Sequence, residues 1–164
     1  MTVEVVTALI GLGGAVIGGG ISSVTTILVA RAEREKYRRE RSWDLRREAY
    51  TRIIGALDRA RAITVHIDDG YDDDAYAWDA SEANRASQTQ MIEHFHAARI
   101  EFHANRLMLS SAFVAQYEKM NRELGEADNP NLIPPENAEM AARVMNQVVP
   151  EMEALAKKEL GVDS

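Results

Sequence analysis

An uncharged apolar stretch lies near the start of the chain. Residues 5–30 carry no charged side chain and consist largely of Val, Ile, Leu, Ala, Ser, Thr and Gly. A helix rises about 1.5 Å per residue, so a helix of this length reaches about 39 Å, which exceeds the roughly 30 Å hydrocarbon layer of a bilayer. The pattern predicts one transmembrane helix within residues 1–30.

Positive charge is concentrated directly after this stretch. Residues 31–48 hold eight Lys or Arg and five Asp or Glu, whereas the four residues before the apolar run include no basic side chain. A secretory signal needs positive charge before its apolar run, and short Lys/Arg-rich segments stay in the cytoplasm. We therefore expect a retained single-pass anchor in the cell's inner (plasma) membrane, with the N-terminus outside and residues 31–164 in the cytoplasm. The side chains expected to contact lipid head groups are Arg31, Arg34, Lys36, Arg38, Arg39 and Arg41.

Small residues recur at four-residue spacing inside the predicted anchor. Such rows let two membrane helices approach closely and pack by van der Waals contact, so they predict a homo-oligomer or a partner helix. One row is Thr7, Gly11, Ala15, Gly19 and Ser23, and the other is Gly14, Gly18, Ser22 and Thr26.

A long helix is predicted to continue from the anchor to about residue 66. It begins at about residue 4, and neither Pro nor Gly occurs between Ser23 and Ile54. Oppositely charged pairs at helical spacing each add about 0.2–0.5 kcal/mol to its stability. These pairs are Arg31/Glu35, Glu35/Arg39, Lys36/Glu40 and Glu48/Arg52.

The same helix acquires an apolar face beyond Trp43, which indicates where it meets other helices. Gly55 lies within this face and predicts a close approach by a facing helix. The apolar positions are Tyr50, Ile53, Leu57, Ala60 and Ile67, and their three- and four-residue spacing is typical of a packed helix.

An aspartate-rich segment over residues 68–81 is predicted to be a loop, because it holds six carboxylates around Gly70. Its aromatic residues Tyr71, Tyr76 and Trp78 either fasten the loop to the bundle or present a contact to a partner. Ser81 is expected to cap the next helix.

The helix after Ser81 has one apolar face and a weaker second stripe, which predicts neighbours on two sides. The face is Met91, Phe95, Ala98, Phe102 and Leu109, and the stripe is His96, Ile100, His103 and Leu107.

Two more helices follow. Ser110 and Ser111 are expected to cap a helix that Gly125 ends, followed by a loop over residues 126–135. A last helix should begin at Glu136, bend or break at Pro150, and end at Gly161. The expected core positions are Phe113, Tyr117, Met120 and Leu124 in the first helix, and Met140, Val144, Val148, Met152 and Leu155 in the second.

No segment alternates with a period of two, so the fold class is expected to be all-α. The expected architecture is a single N-terminal transmembrane helix that continues into a long helical stalk and a small antiparallel helical bundle. The domains are an anchor over 1–30, a charged juxtamembrane stalk over 31–48 and a cytoplasmic bundle over 49–164.

Charge limits the class of partner. The net charge is −7 overall, and residues 49–164 alone carry −9. An acidic domain repels phosphate backbones, so nucleic-acid binding is disfavoured. The sequence has no cysteine, which removes disulfides, thiol nucleophiles and Cys-ligated metals from consideration. We expect no cofactor and no catalytic residue.

A metal site is the main chemical alternative. Glu93 and His96 have the i, i+3 spacing of di-iron bundles, but no second Glu-x-x-His occurs in the chain. His96 and His103 are about 10.5 Å apart along the helix axis, too far to share one ion directly. The histidines therefore fit the polar edges of a packed interface better than a metal centre. The aspartate-rich segment lacks the ligand spacing of an EF-hand.

The segment Arg41–Tyr50, RSWDLRREAY, follows the glycine-rich stretch and the Arg/Glu-rich stalk. This combination resembles small uncharacterised single-pass proteins of the kind found in actinobacteria. The resemblance covers about residues 5–60 and implies an anchored cytoplasmic helical domain, without catalytic residues.

Three functions are compatible with these features. The favoured one is a membrane-tethered interaction or scaffold protein that self-associates through its anchor and docks a cytoplasmic partner. The second is a pore-forming or lysis-type membrane protein, in which many anchors form a ring. The third is a metal-dependent helical-bundle enzyme that uses Glu93, His96 and the Asp68–Asp74 segment.

Overall fold

The computed structural model describes the backbone of residues 3–127 and 131–162, and the side chains of residues 33–72, 74–127 and 131–162. These ranges contain five helices and no strand, which confirms the all-α class and a helical bundle. The helices are α1 (Val3–Asp69), α2 (Tyr71–Ala80), α3 (Glu82–Asn105), α4 (Ser111–Ala127) and α5 (Pro134–Leu160). The chain divides into two compact units, Met1–Trp43 and Asp44–Ser164.

No helix in the described part of the chain combines the length and the apolar content that crossing a membrane requires. The predicted anchor over residues 1–30, with its two rows of small residues, has side chains outside the described residues. The side chain of Arg31 also lies outside the described residues, and so does its predicted ion pair with Glu35.

The long first helix agrees with its predicted bounds, since α1 spans Val3–Asp69. Three of its predicted ion pairs form on exposed surface, and exposed pairs of this kind contribute little stability individually. They are Arg39–Glu35 at 4.0 Å, Lys36–Glu40 at 3.8 Å and Arg52–Glu48 at 2.6 Å.

The predicted apolar face of α1 forms the centre of the core in the second unit. All five positions, Tyr50, Ile53, Leu57, Ala60 and Ile67, are buried. The prediction for Gly55 is wrong, because a Cβ added there would meet nothing within 4 Å.

Aromatic rings join the helices at the core. The ring of Tyr50 on α1 meets that of Phe113 on α4 edge to face, with centroids 4.7 Å apart. Phe102 on α3 stacks on Tyr117 of α4 with centroids 3.9 Å apart. Rings in these geometries add stabilisation beyond the area that they bury.

The predicted loop over residues 68–81 is wrong, because most of this segment is helical. Asp68 and Asp69 end α1, and α2 occupies Tyr71–Ala80. The helical backbone is interrupted within α2 only at Asp74, where φ is −146° and ψ is 90°. Aspartates favour the first turn of a helix, and the Asp74 carboxylate accepts the Ala77 N–H at 3.0 Å. The aspartate residues therefore start helical turns here.

The predicted caps of α3 and α4 are confirmed. The Ser81 hydroxyl accepts the Asn84 N–H at 2.9 Å, and the Ser110 hydroxyl accepts the Phe113 N–H at 3.0 Å. Gly125 does not end α4, which continues to Ala127. An isolated glycine near a helix end costs about 1 kcal/mol relative to alanine and does not by itself stop a helix.

α5 begins earlier than predicted, with Pro134 and Pro135 in its first turn, where a missing N–H costs nothing. It also passes through Pro150 without interruption. Pro150 is exposed, so the hydrogen bond that it removes is lost on the solvent side. Gly161 ends the helix as predicted, with φ at 66° and the Val162 N–H bonded to the Lys157 carbonyl.

The core face of α5 is rotated from the predicted one. Val148 and Met152 are buried as expected, but Met140, Val144 and Leu155 are only half-buried. The buried positions also include Ala138, Ala142, Met145, Val149 and Ala156. Small alanines let α5 approach its neighbours closely, and a count of large apolar residues overlooked them.

Candidate interaction surface

α3 has one face in the core and one in solvent. Ala98 and Phe102 are buried on the inner face, and Phe95 packs partly against the same core. The predicted second stripe, namely His96, Ile100, His103 and Leu107, is entirely exposed, and its last member lies in the turn after α3. The prediction that α3 has neighbours on two sides is therefore wrong within this chain.

The exposed stripe is continuous along the helix. Ile92 extends it by one turn, and the spacing 92, 96, 100, 103 places these four members on one side of α3, while Leu107 lies in the turn that follows the helix. Ile92 is 62% exposed, Ile100 is 54% exposed and Leu107 is fully exposed. Sequence reasoning missed Ile92, although its position four residues before His96 could have identified it. We call Ile92, His96, Ile100, His103 and Leu107 the outer stripe.

Large apolar side chains usually occur singly on a protein surface, and an aligned series of them marks a contact site. The helical part of the outer stripe, from Ile92 to His103, spans about 17 Å at 1.5 Å per residue, or about three helical turns. A second helix with apolar residues at three- and four-residue spacing matches such a row.

Two of the three histidines of α3 do not border a packed interface within this chain. His96 and His103 are exposed in the outer stripe, and only His94 is half-buried. The His103 ring lies edge to face against Phe102 with centroids 5.4 Å apart. Over the described side chains, no three His, Asp or Glu residues are grouped closely enough to hold a metal ion, and this includes Glu93 and His96.

The predicted lipid-contacting residues lie in the first unit. Arg34, Lys36, Arg38, Arg39 and Arg41 are all exposed. Lys36 and Arg39 belong to the glutamate pairs described above. These five cations can therefore reach an anionic surface.

A polar cluster at one end of the bundle joins three elements. The hydroxyls of Tyr50 on α1 and Ser110 before α4 both donate hydrogen bonds to the carboxylate of Glu159 on α5. The Ser110 N–H in turn donates to the Tyr50 hydroxyl at 3.1 Å. We call Tyr50, Ser110 and Glu159 the polar clasp. Sequence reasoning missed it, because these residues are far apart in the chain.

Removing the Tyr50 hydroxyl should weaken this end of the bundle. Tyr50→Phe leaves the Ser110 N–H without its partner, and the expected loss is about 1–2 kcal/mol of unfolding free energy. Burial raises the pKa of the Tyr50 hydroxyl, and the bond to Glu159 raises it further. The folded state therefore favours neutral Tyr50, so its contribution is present at neutral pH and is lost as the pH rises through the raised pKa.

Denaturant unfolding of the full chain at neutral and at alkaline pH measures both effects. Tyr50→Phe should lose less stability on alkalinisation than the parent. Tyr76→Phe is the control, because Tyr76 is 88% exposed. An equal loss in both variants would contradict the role of the polar clasp.

No family model, no curated protein and no solved structure matches this chain.

Proposed function

We propose that this chain is a membrane-tethered helical interaction protein. In this proposal residues 1–30 form the transmembrane anchor, self-associate through their rows of small residues, and leave residues 31–164 in the cytoplasm. The 26-residue uncharged run and the exposed basic residues that follow it support this arrangement.

The outer stripe is the observation that carries the docking part of the proposal. It offers Ile92 and Ile100 on one side of α3 and Leu107 in the turn that follows, with two exposed histidines between them. We propose that its occupant is an amphipathic helix of a cytoplasmic partner protein, because the three- and four-residue spacing fits a helix. The net charge of −9 on residues 49–164 opposes pairing between two copies of the bundle, which favours a different protein as the occupant.

Site-specific photocrosslinking in cells tests the docking proposal. A photoreactive residue at Ile100 or at Leu107 should crosslink to one partner, at apolar positions three or four residues apart in a single helix. Ala115, which is exposed on α4, is the control position and should give no such product. Crosslinks only to another copy of this chain, or equal crosslinking from Ala115, would contradict the proposed occupant.

The anchor is tested separately by fractionation of cells. Full-length protein should pellet with membranes and resist carbonate extraction, whereas a variant lacking residues 1–30 should appear in the soluble fraction. Intact full-length protein in the aqueous fraction would contradict the anchor while leaving the outer stripe untouched. Detergent-resistant rings of many copies, together with leakage of a vesicle dye, would instead support a pore.

A further inference from the structure

Two arginines lie along one edge of the outer stripe. Arg99 is three residues after His96 and four residues before His103, so it neighbours both of them on the surface of α3. Arg106 follows the last residue of α3 and keeps a helical backbone, with φ at −49° and ψ at −36°. It comes seven residues after Arg99, which places both arginines on the same edge, about 10.5 Å apart along the helix axis.

This edge borders α4, but only one of its two arginines is paired there. The Phe102 ring, three residues after Arg99, stacks on the Tyr117 ring of α4. The Arg106 guanidinium pairs with Glu118 of α4 at 2.6 Å, so its charge is compensated. Arg99 is also exposed, and it belongs to none of the ion pairs between described side chains. Arg99 therefore places a cation beside the outer stripe without a carboxylate partner from the described part of the chain.

The opposite edge of the outer stripe differs in charge. At 100° per residue it holds Glu93 at its N-terminal end, followed by Ala97 and Ala104, and all three are exposed. Glu101 does not reach the outer stripe, because it is half-buried and pairs with Arg52 of α1 at 3.5 Å. The stripe is therefore asymmetric around Ile100, with a guanidinium on one edge and small uncharged side chains on the other.

We propose that the helix docked on the outer stripe carries an aspartate or glutamate that pairs with Arg99. This inference rests on the docking of a partner helix proposed above, and it defines the register of that helix. The carboxylate lies within four positions of the apolar residue that packs on Ile100, because Arg99 and Ile100 are adjacent on α3.

The charge of the surrounding surface makes Arg99 a selective position for a carboxylate. Residues 49–164 carry a net charge of −9, so a carboxylate is repelled from most of this unit. At Arg99 it meets a guanidinium, whose planar array of N–H donors matches the two carboxylate oxygens. Such a pair at the edge of an apolar contact fixes register and direction more than it adds affinity.

Charge reversal at Arg99 tests the inference in the full-length chain. The reference is the yield of photocrosslinking in cells from a photoreactive residue at Ile100. Arg99→Glu should lower this yield about tenfold, because it places two carboxylates opposite each other. Arg99→Gln, which keeps a polar side chain of similar length, should lower it about threefold. An unchanged yield in both variants would overturn the inference and leave the docking of a partner helix intact.

Arg59→Glu is the matched control, because it makes the same change of net charge on α1. Arg59 is exposed, and like Arg99 it takes part in no ion pair between described side chains. The yield from Ile100 should be unchanged in this variant. Equal losses in Arg59→Glu and Arg99→Glu would overturn the inference, because net charge alone would then explain the effect.

A charge swap in the partner completes the test. Mass spectrometry of the crosslinked peptide identifies the acidic residue within four positions of the crosslinked site. Its replacement by arginine should restore the yield in Arg99→Glu to within about twofold of the reference, while it lowers the yield with the parent chain. A crosslinked helix without such an acidic residue, or a failure of the swap to restore the yield, would overturn the inference alone.

Three other results would overturn the docking proposal together with this inference. They are a crosslink from Ile100 to an anionic lipid, a crosslink only to a second copy of this chain, and no crosslinked product from the parent chain. Each differs from the charge-reversal results, because each is seen before any substitution at Arg99.

Discussion

Phe102→Ala is expected to remove about 3–5 kcal/mol of unfolding free energy, the range for deleting a large buried aromatic side chain. Phe102 is 1% exposed and stacks on Tyr117, with the two planes 11° apart. The Arg106 guanidinium lies 5.6 Å from the centre of its ring. The substitution therefore creates a cavity at the contact between α3 and α4 and removes the ring contacts with Tyr117, Arg106 and His103.

Ile100→Ala is the matched control, because it lies two residues away on the same helix and points into solvent. Its effect on stability should stay within about 0.5 kcal/mol, as for most surface substitutions. Denaturant unfolding of the two full-length variants checks the difference. A comparable loss for Ile100→Ala would mean that the outer stripe is covered in solution.

Gly70→Ala is the second substitution with a large expected effect, a loss of about 1–3 kcal/mol from overpacking. The backbone at Gly70 is right-handed helical, with φ at −66° and ψ at −20°, so alanine fits the conformation itself. The new methyl group would instead collide with the Trp78 indole and displace it from the Ile67 carbonyl. The near-ultraviolet circular dichroism of Trp78 should weaken together with the loss of stability.

Gly125→Ala is expected to have the opposite effect on the stability of the same chain. Gly125 lies in α4, and a Cβ added there meets nothing within 4 Å. Alanine should therefore stabilise the helix by up to about 1 kcal/mol through its higher helix propensity. If both glycine variants shifted the unfolding midpoint in the same direction, the Trp78 indole would not pack against Gly70.

The elements that sequence predicted best are those with strong periodicity and unambiguous end signals. The apolar face of α1 is buried at every predicted position, since apolar residues recur there at helical spacing. Ser81, Ser110 and Gly161 act as predicted because capping is a local property of the backbone and one side chain. Such features are encoded within a few residues.

The wrong predictions concern features that depend on contacts between residues far apart in the chain. The aspartate-rich segment is predicted to be a loop because the sequence does not reveal the contacts of Trp78 with Gly70 and Ile67. Periodicity identified the second stripe of α3, but it could not tell whether another helix covers that stripe. On α5 the alanines have too little contrast in hydropathy to mark the buried face, so the prediction selected Met140 and Leu155, which lie within two positions of the buried Ala138, Ala142 and Ala156.

The candidate interaction surface was only partly accessible from the sequence. His96, Ile100 and His103 were correctly placed on one side of their helix, whereas Leu107 lies in the turn beyond it. The exposure of all four is a tertiary property. The partners of Tyr50 could not be inferred, because a hydrogen bond between residues 109 positions apart leaves no local signal.

The polar clasp also fixes the order of events during synthesis. Tyr50 emerges from the ribosome long before Glu159, so the buried face of α1 must wait for more than a hundred further residues before the bundle can close. Contacts this distant in the chain slow folding and leave apolar surface exposed meanwhile. Nascent chains that stop short of α5 should therefore be the species that engage chaperones, and release of the last helix should end that dependence.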